Sequence, residues 1–289
     1  MKKSLTTFYS LMMVFSLSAC GSASLTLEEG LATAQGIQNY QNSESFSHPN
    51  KLTISLYTEN VTPINDNSLI SKVTTNYVID MTHSYFYSYT FSDLTYRTIL
   101  PGNPDKVQRE SKTTTKQWIY LNGDVLNTVN DSFVHVDDGT ADIVSKTYQS
   151  QIIDVANDSP FSDLLVSLFN YYTGNDALNL LIGDPSNEKD GYFDEKYYDP
   201  NDPACPVTYR NCTIKSEGDG YLETNARIKR KSPSDLNITC DINFSNYYLS
   251  SYYYYEIGLT RYSKTKISIS HETNRNYPNL NDYTIDNSN

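Results

Sequence analysis

The sequence has little of what usually marks an enzyme. It contains one tryptophan, four cysteines and four histidines in 289 residues. The histidines, His48, His83, His135 and His271, form neither HExxH nor HxH, so zinc hydrolysis has no motif to rest on and surface roles are the simpler account. No GxSxG elbow and no GxxxxGKS/T loop occurs, which removes the sequence support for α/β-hydrolase and P-loop chemistry. The cysteines make no CxxC pair, so a zinc ribbon is excluded. Basic residues are scarce as well: 22 stand against 34 acidic ones, a formal net charge of −12. Such a chain is repelled by nucleic acid and by anionic lipid. No nucleic-acid partner is expected, and any membrane location needs an anchor. Past the N-terminal segment no apolar run approaches the roughly 20 residues of a spanning helix.

The carboxylates do not fill these gaps. Asp184, Asn187, Asp190 and Asp194 form an acidic loop, but Ser186 and Glu188 stand where a calcium loop needs Asp or Asn. A solvated loop explains it better. Asp137-Asp138 before Gly139 reads as turn chemistry. A glycosidase pair is defined in space and not in sequence, and nothing marks one here. No metal or cofactor is expected, and the chain reads as a non-enzyme.

What is present begins at the N-terminus. Lys2 and Lys3 precede a short apolar core from Phe8 to Leu17, the layout of an export signal. Leu17-Ser18-Ala19-Cys20 fits a lipobox: a Leu, two small residues, then Cys. Residues 1–19 read as a signal peptide, Cys20 as the lipidated first residue carrying diacylglycerol, and 20–24 as a short tether. Two acyl chains hold a protein on a bilayer without help from a basic face. This places the chain on the extracytoplasmic face of the cell membrane, attached through its N-terminal lipid. Without Lys2 and Lys3 the remaining 20 basic and 34 acidic residues make the body more acidic still. Three cysteines are then left. Cys205 and Cys212 flank six residues and are able to pair outside the cell; Cys212 with Cys240 is equally open.

The elements follow from periodicity. Thr26-Leu27-Glu28-Glu29 reads as a capping box opening a helix to about Asn42, with Leu27, Leu31, Ala34 and Ile37 near one face. The period then changes to two. Lys51–Glu59 alternates Leu52, Ile54 and Leu56 against Thr53, Ser55 and Tyr57. Lys72–Met81 repeats the pattern, and Tyr85–Phe91 pairs with it. Pro101-Gly102-Asn103-Pro104 marks a loop. Asn122-Gly123 between strand-like runs signals a hairpin with both turn residues at positive φ. Phe133–Val136 and Ser145–Ile153 complete a first set of strands. Ser159 as cap and Pro160 at the first position open a helical insert. Its stripe is Phe161, Leu164, Leu165, Leu168, Phe169 and Tyr172, and a shorter helix runs from Asp176 to Ile182. Residues 184–206 read as a long polar loop. Five further strands run from Cys212 to Glu272, and Tyr277-Pro278 begins a polar tail.

These elements predict an α+β fold: a strongly curved antiparallel sheet of about 11 strands, with the N-terminal helix and the insert packed in its concave side. Residues 25–285 form one domain. A lipobox, a capped helix, the Asn122-Gly123 hairpin and the closing Tyr247–Glu272 hairpin come in an order that resembles the LolA/LolB and LppX/LprG lipoproteins. The resemblance implies a half-open β-barrel whose apolar cavity handles lipids or lipoproteins. The expected function is to bind or carry an apolar ligand, a lipid or acyl chain, in a cavity lined by Phe161, Leu164, Leu165, Leu168, Phe169 and Tyr172. The alternative is a cell-surface interaction module. It would use the 184–206 loop and the outward half of Tyr252-Tyr253-Tyr254-Tyr255, since alternate strand residues face opposite sides. Exposed tyrosines stack on sugars or line interfaces, although cross-strand packing is the simpler account.

Overall fold

In the computed structural model, residues 23–64, 67–100, 103–154, 160–184, 189–231, 235–258 and 262–286 are described. The lipobox with Cys20, the Ser159 cap, Pro101-Gly102 and residues 185–188 lie outside them.

The chain opens with β1 (Ala23–Ser24) and α1 (Leu27–Gln41). The capping box forms as the sequence predicts: Glu29 N donates to Thr26 Oγ1 at 3.2 Å and Thr26 N donates to Glu29 Oε2 at 2.8 Å. Those bonds to Thr26, backbone first, hold the Glu29 carboxyl below its ordinary range. Six antiparallel strands follow: β2 (Lys51–Ile64), β3 (Asn67–Asp80), β4 (Tyr85–Leu100), β5 (Asn103–Asn122), β6 (Val125–Val136) and β7 (Ile143–Ile152). The insert holds α2 (Pro160–Ser167), α3 (Phe169–Thr173) and α4 (Asn175–Ile182), then a two-residue ladder of β8 (Gly183–Asp184) with β9 (Lys189–Asp190). Next come β10 (Val207–Ser216), β11 (Leu222–Arg230), β12 (Leu236–Ser245), β13 (Tyr248–Ile257) and β14 (Tyr262–Ser270), and finally β15 (Thr284–Ile285).

One 13-stranded sheet results, in the order β1-β10-β11-β12-β13-β14-β2-β3-β4-β5-β6-β7-β15. It is curved and not closed, with β1 and β15 at its two edges. The fold is α+β as predicted. The strand count exceeds the expected 11 through the two-residue pieces β1 and β15. β14 zips onto β2 over nine residue pairs from Tyr262↔Val61 to Ser270↔Thr53, joining the halves on either side of the insert. Among the described strands, β15 alone pairs in parallel, with β7.

Period two sorts the side chains. Leu52, Ile54, Ile79 and Phe86 turn inward onto Phe161, Leu165, Leu168 and Tyr172 of the insert. Ile214, Leu222, Ala226, Ile228, Ile238, Cys240 and Ile242 turn inward onto Ala34 and Ile37 of α1 and Leu178 and Leu181 of α4.

Several expectations need correction. β4 and β5 run 16 and 20 residues, far past the predicted pieces, and Asn103 lies within β5. The outer half of β5, Asn103–Lys112, is nearly all polar and carries no apolar alternation, whereas that of β4 keeps Phe91, Leu94, Tyr96, Ile99 and Leu100 among Ser, Asp, Thr and Arg. The β5–β6 turn closes on Asn122↔Val125, so its central residues are Gly123-Asp124 and not Asn122-Gly123. Only Gly123 takes positive φ there, +65°, which is where glycine belongs when it stands first. The insert helix breaks at Leu168, whose N donates to both Leu164 O and Leu165 O at 3.2 Å. Ser167 Oγ donates to Leu164 O at 2.6 Å, a back-bond that bends helices.

The 184–206 segment is not a free loop. Tyr192 and Phe193 are buried in the core, and Arg210 Nη1 donates to the Tyr192 and Asp194 carbonyls. Gly191 allows this: a Cβ there would lie 2.2 Å from Gly183 N. The polar tail is likewise a strap over the outer face of β3–β7. Asn276 O accepts from Tyr85 Oη at 2.8 Å and from Trp118 Nε1 at 2.9 Å. Tyr277 stands edge-on to Tyr85 and Tyr120, each at 5.1 Å. Asp80, 1% exposed, takes Thr273 Oγ1 at 3.3 Å and lies 3.5 Å from Arg275 Nε.

Candidate functional site

The inner face of the sheet changes character along the strands. Level with the insert helices it is Leu52, Ile79, Phe86 and Ile119 in register, then Ile54, Tyr77, Ser88 and Gln117. Two residues further on the row reads Leu56, Thr75, Thr90, Thr115 and Ser132. Thr75 and Thr90 hydroxyls meet at 3.3 Å. In the next row Thr58, Ser92 and Thr113 are interspersed with Val73 and Val134, so the inner face turns from mostly apolar to hydroxyl-rich.

A cleft of about 550 Å³ lies at that boundary, lined by Leu56, Thr58, Ser167, Asn170, Tyr171, Gly174, Asp176, Ala177, Leu249, Tyr252, Thr265 and Ile267. β2, β14 and β13 supply the floor; α2, α3 and α4 supply the opposite wall. Leu56, Ile267, Leu249 and Tyr252 make the apolar part, and Thr58, Thr265, Ser167, Asn170 and Asp176 make the polar rim. Gly174, at φ +66°, links α3 to α4, and a Cβ on it would sit 3.0 Å from Leu249 Cβ. Burial, with smaller contributions from Cys240, Tyr254 and Asp176, keeps the Tyr252 hydroxyl protonated well above the ordinary phenol range. Volume and lining suit a small-molecule site, for which 300–1,000 Å³ is typical.

The predicted cavity residues are placed elsewhere. Phe161, Leu165, Leu168 and Tyr172 are 3%, 5%, 4% and 0% exposed and form solid core; Leu164 and Phe169 are half-buried beside them. None of the six lines the cleft. The stripe fills the space it was expected to enclose, because Leu52, Ile54, Ile79 and Phe86 interdigitate with it. Tyr172 Oη instead meets His48 Nδ1 at 2.6 Å. The cleft residues went unread because Leu56 and Ile267 look like ordinary core positions. The legible signal was the change from Leu56 to Thr58 on one face of one strand.

The tyrosine run divides as alternation requires. Tyr252 and Tyr254 stack inward, centroids 6.3 Å apart. Tyr253 and Tyr255 face outward, under Lys266 and beside Tyr262 respectively. Cys205, Cys212 and Cys240 are all free thiols in the structure, so the Cys205–Cys212 bridge is not formed in it. The register settles the alternative: Cys212 pairs Ala226, which pairs Cys240. Two strand spacings, roughly 9.5 Å, exceed the ~7 Å Cα limit for a disulfide. Among the described residues no group of three or more His, Cys, Asp or Glu is placed to hold a metal ion. Asp194 Oδ1 caps the turn at Lys196 N, 2.9 Å. Among the described residues no helix is long and apolar enough to cross a membrane.

No protein-family model and no curated protein matches this chain. Among solved structures it is similar to a crystal structure of a β-barrel-like protein of Domain of Unknown Function DUF1849 from Brucella abortus. Identity is 8%, the match covers 78% of this chain and 100% of that one, and the TM-score is 0.26. A likeness that weak carries no inference about fold or function.

Proposed function

We propose that this chain is a lipid-anchored, extracytoplasmic binding protein, without catalysis of its own, that holds an amphipathic ligand such as a lipid or acyl chain in the cleft between the insert and the sheet. The observation that carries this reading is the position of the cleft where the inner face turns from the apolar Leu56 and Ile267 to the hydroxyls of Thr58 and Thr265. An acyl chain would lie on Leu56, Leu249, Tyr252 and Ile267, with its polar end at Thr58, Thr265 and Asn170. The open, curved sheet with the insert packed on its inner face supports this reading. Anchoring would come from Cys20: Cys20→Ala should release the protein from the membrane fraction, and retention there would end that part of the proposal. For the ligand, binding of a fluorescent fatty acid to detergent-purified protein is compared with that of Thr58→Trp. Trp suits a strand and projects into the cleft. At least tenfold weaker binding is expected; unchanged affinity contradicts the site.

A second reading, a surface interaction module, draws on a different observation. The stripe is solid core, and the outer face keeps half-exposed tyrosines. The 184–206 segment contributes little to it, since Tyr192 and Phe193 tie that segment down.

A further inference from the structure

The outer face of the sheet carries an ordered row that neither the cleft nor the strap uses. In register across the strands stand Asp241, Tyr253, Lys266, Tyr57, Thr74, Phe91, Thr114, Phe133 and Val144. Aromatic rings therefore recur on every second strand: Tyr253 on β13, Tyr57 on β2, Phe91 on β4 and Phe133 on β6. Neighbouring rings are two strand spacings apart, roughly 9.5 Å. The residues between them are Lys266, whose ammonium lies over the Tyr253 ring, and Thr74 and Thr114, which are shorter than the rings.

The rows on either side are as regular. Toward the strap lie Asn243, Ser251, Ser268, Ser55 and Asn76, all hydroxyls and amides, in register from β12 to β3. Away from the strap lie Tyr255, Lys264, Glu59, Lys72, Asp93 and Lys112, in which charges alternate. Lys72 Nζ and Glu59 Oε1 are 3.8 Å apart. Asp241 accepts from Arg227 Nη1 at 2.8 Å. A groove of about 610 Å³ lies on the Tyr253–Tyr57 half, lined by Ser55, Tyr57, Thr74, Asp241, Asn243, Ser251, Tyr253, Lys266 and Ser268, with the edges of Leu56, Tyr252 and Ile267. Asn243 Nδ2 donates to Ser251 Oγ at 2.9 Å, while Asn243 Oδ1 has no hydrogen-bond partner among the described residues.

We propose that this row is a binding track for an extended, uncharged glycan laid across the strands. In a β-1,4-linked chain each pyranose advances by about one strand spacing, so alternate sugars would meet a ring and the sugars between them would lie over Lys266, Thr74 or Thr114. Pyranose C–H faces pack on aromatic rings, and ring hydroxyls need the donors and acceptors that Asn243, Ser251, Ser268, Ser55 and Asn76 offer in line. A polyanion does not fit, because the flanking charges alternate and the body is acidic, so no field attracts it. An apolar segment does not fit a groove whose strap-side margin is hydroxyls and amides, and which would leave Asn243 Oδ1 buried without a partner. The lysines over the rings, Lys266 5.6 Å from the Tyr253 centroid and Lys264 5.8 Å from that of Tyr57, are flexible covers that a sugar displaces. From Tyr253 to Phe133 the track spans six strand intervals, roughly 29 Å, the reach of a hexasaccharide. The site is independent of the cleft and of its ligand.

The test uses the full chain purified in detergent, titrated with cellohexaose, chitohexaose and maltohexaose, and with heparin as polyanion. Saturable binding of a β-1,4 hexasaccharide, at least tenfold weaker for its disaccharide, is expected. Tyr57→Ala and Tyr253→Ala should each weaken it at least tenfold. Tyr57→Phe, which keeps the ring, should stay within about threefold, and its unchanged melting temperature controls for folding. Thr58→Trp, which fills the cleft on the other face, should bind glycan as the unaltered chain does. No binding of any neutral hexasaccharide, binding of heparin alone, or binding indifferent to Tyr57 and Tyr253 would each overturn the proposal.

Discussion

Leu165→Ala separates a packed stripe from a ligand-lined one. Leu165 is 5% exposed and sits on α2 against the β2–β4 core row of Leu52, Ile54, Ile79 and Phe86. Truncating such a leucine costs about 2–5 kcal/mol through lost burial and the cavity left behind. Against a total stability of about 5–15 kcal/mol that is a large fraction. For a domain of this size each kcal/mol moves the melting temperature by about 2–4 °C, so a drop of roughly 5–15 °C is expected. Leu165 does not line the cleft. Fatty-acid affinity at 20 °C should therefore stay within about twofold of the parent. Circular dichroism melts and fluorescent fatty-acid titrations on the same samples decide it. A melting temperature within 1 °C of the parent together with lost fatty-acid binding would refute the core placement and restore the stripe as a cavity wall.

Asp80 anchors the strap. Burial raises its pKa, but hydrogen bonds from Thr82 and His83, with the nearby His83 and Lys51 charges, outweigh that and leave it lowered. A lowered folded-state pKa contributes stability that is fully present above the unfolded value, near 4, and lost as pH falls through the folded value. Asp80→Asn should thus cost about 1.5–3 kcal/mol at neutral pH, and the difference from the parent should vanish in strong acid. Trp118, the only tryptophan, donates to Asn276 in the strap. Its emission should shift to the red in Asp80→Asn, and an unshifted emission would contradict the anchoring role. Burial pushes the Cys212 thiol up to about 11 and that of Cys240 higher still. A thiol reagent should reach Cys205 first and Cys240 only on unfolding. Mild oxidation should bridge Cys205 to Cys212, and a Cys212–Cys240 peptide by mass spectrometry would contradict the register.

Much of the fold was legible because local chemistry and global placement agree. Thr26 and Glu29 spell a capping box and form one. Leu52, Ile54 and Leu56 alternate, and all three turn inward. Where they diverge, the reason is physical. The outer half of β5, Asn103–Lys112, is nearly all polar and looks like loop while the backbone ladder holds it as strand. The strap reads as polar tail because only Tyr277, Leu280 and Tyr283 do the packing, and three apolar residues spread among asparagines make no period. The stripe from Phe161 to Tyr172 was correctly read as amphipathic, but periodicity shows which face is buried and not whether anything other than protein lies against it. The cleft and the outer aromatic row are products of register. Tyr57, Phe91, Phe133 and Tyr253 are far apart in sequence, and only the pairing of β13, β14 and β2–β6 sets them in line.

A crystal structure of the protein grown with a terminally brominated fatty acid locates the ligand without reference to any variant. The bromine's anomalous signal should fall inside the cleft, against Leu56, Tyr252 and Ile267. A bromine peak outside the cleft, or none at a saturating concentration of the fatty acid, would contradict the assignment of that cleft as the binding site.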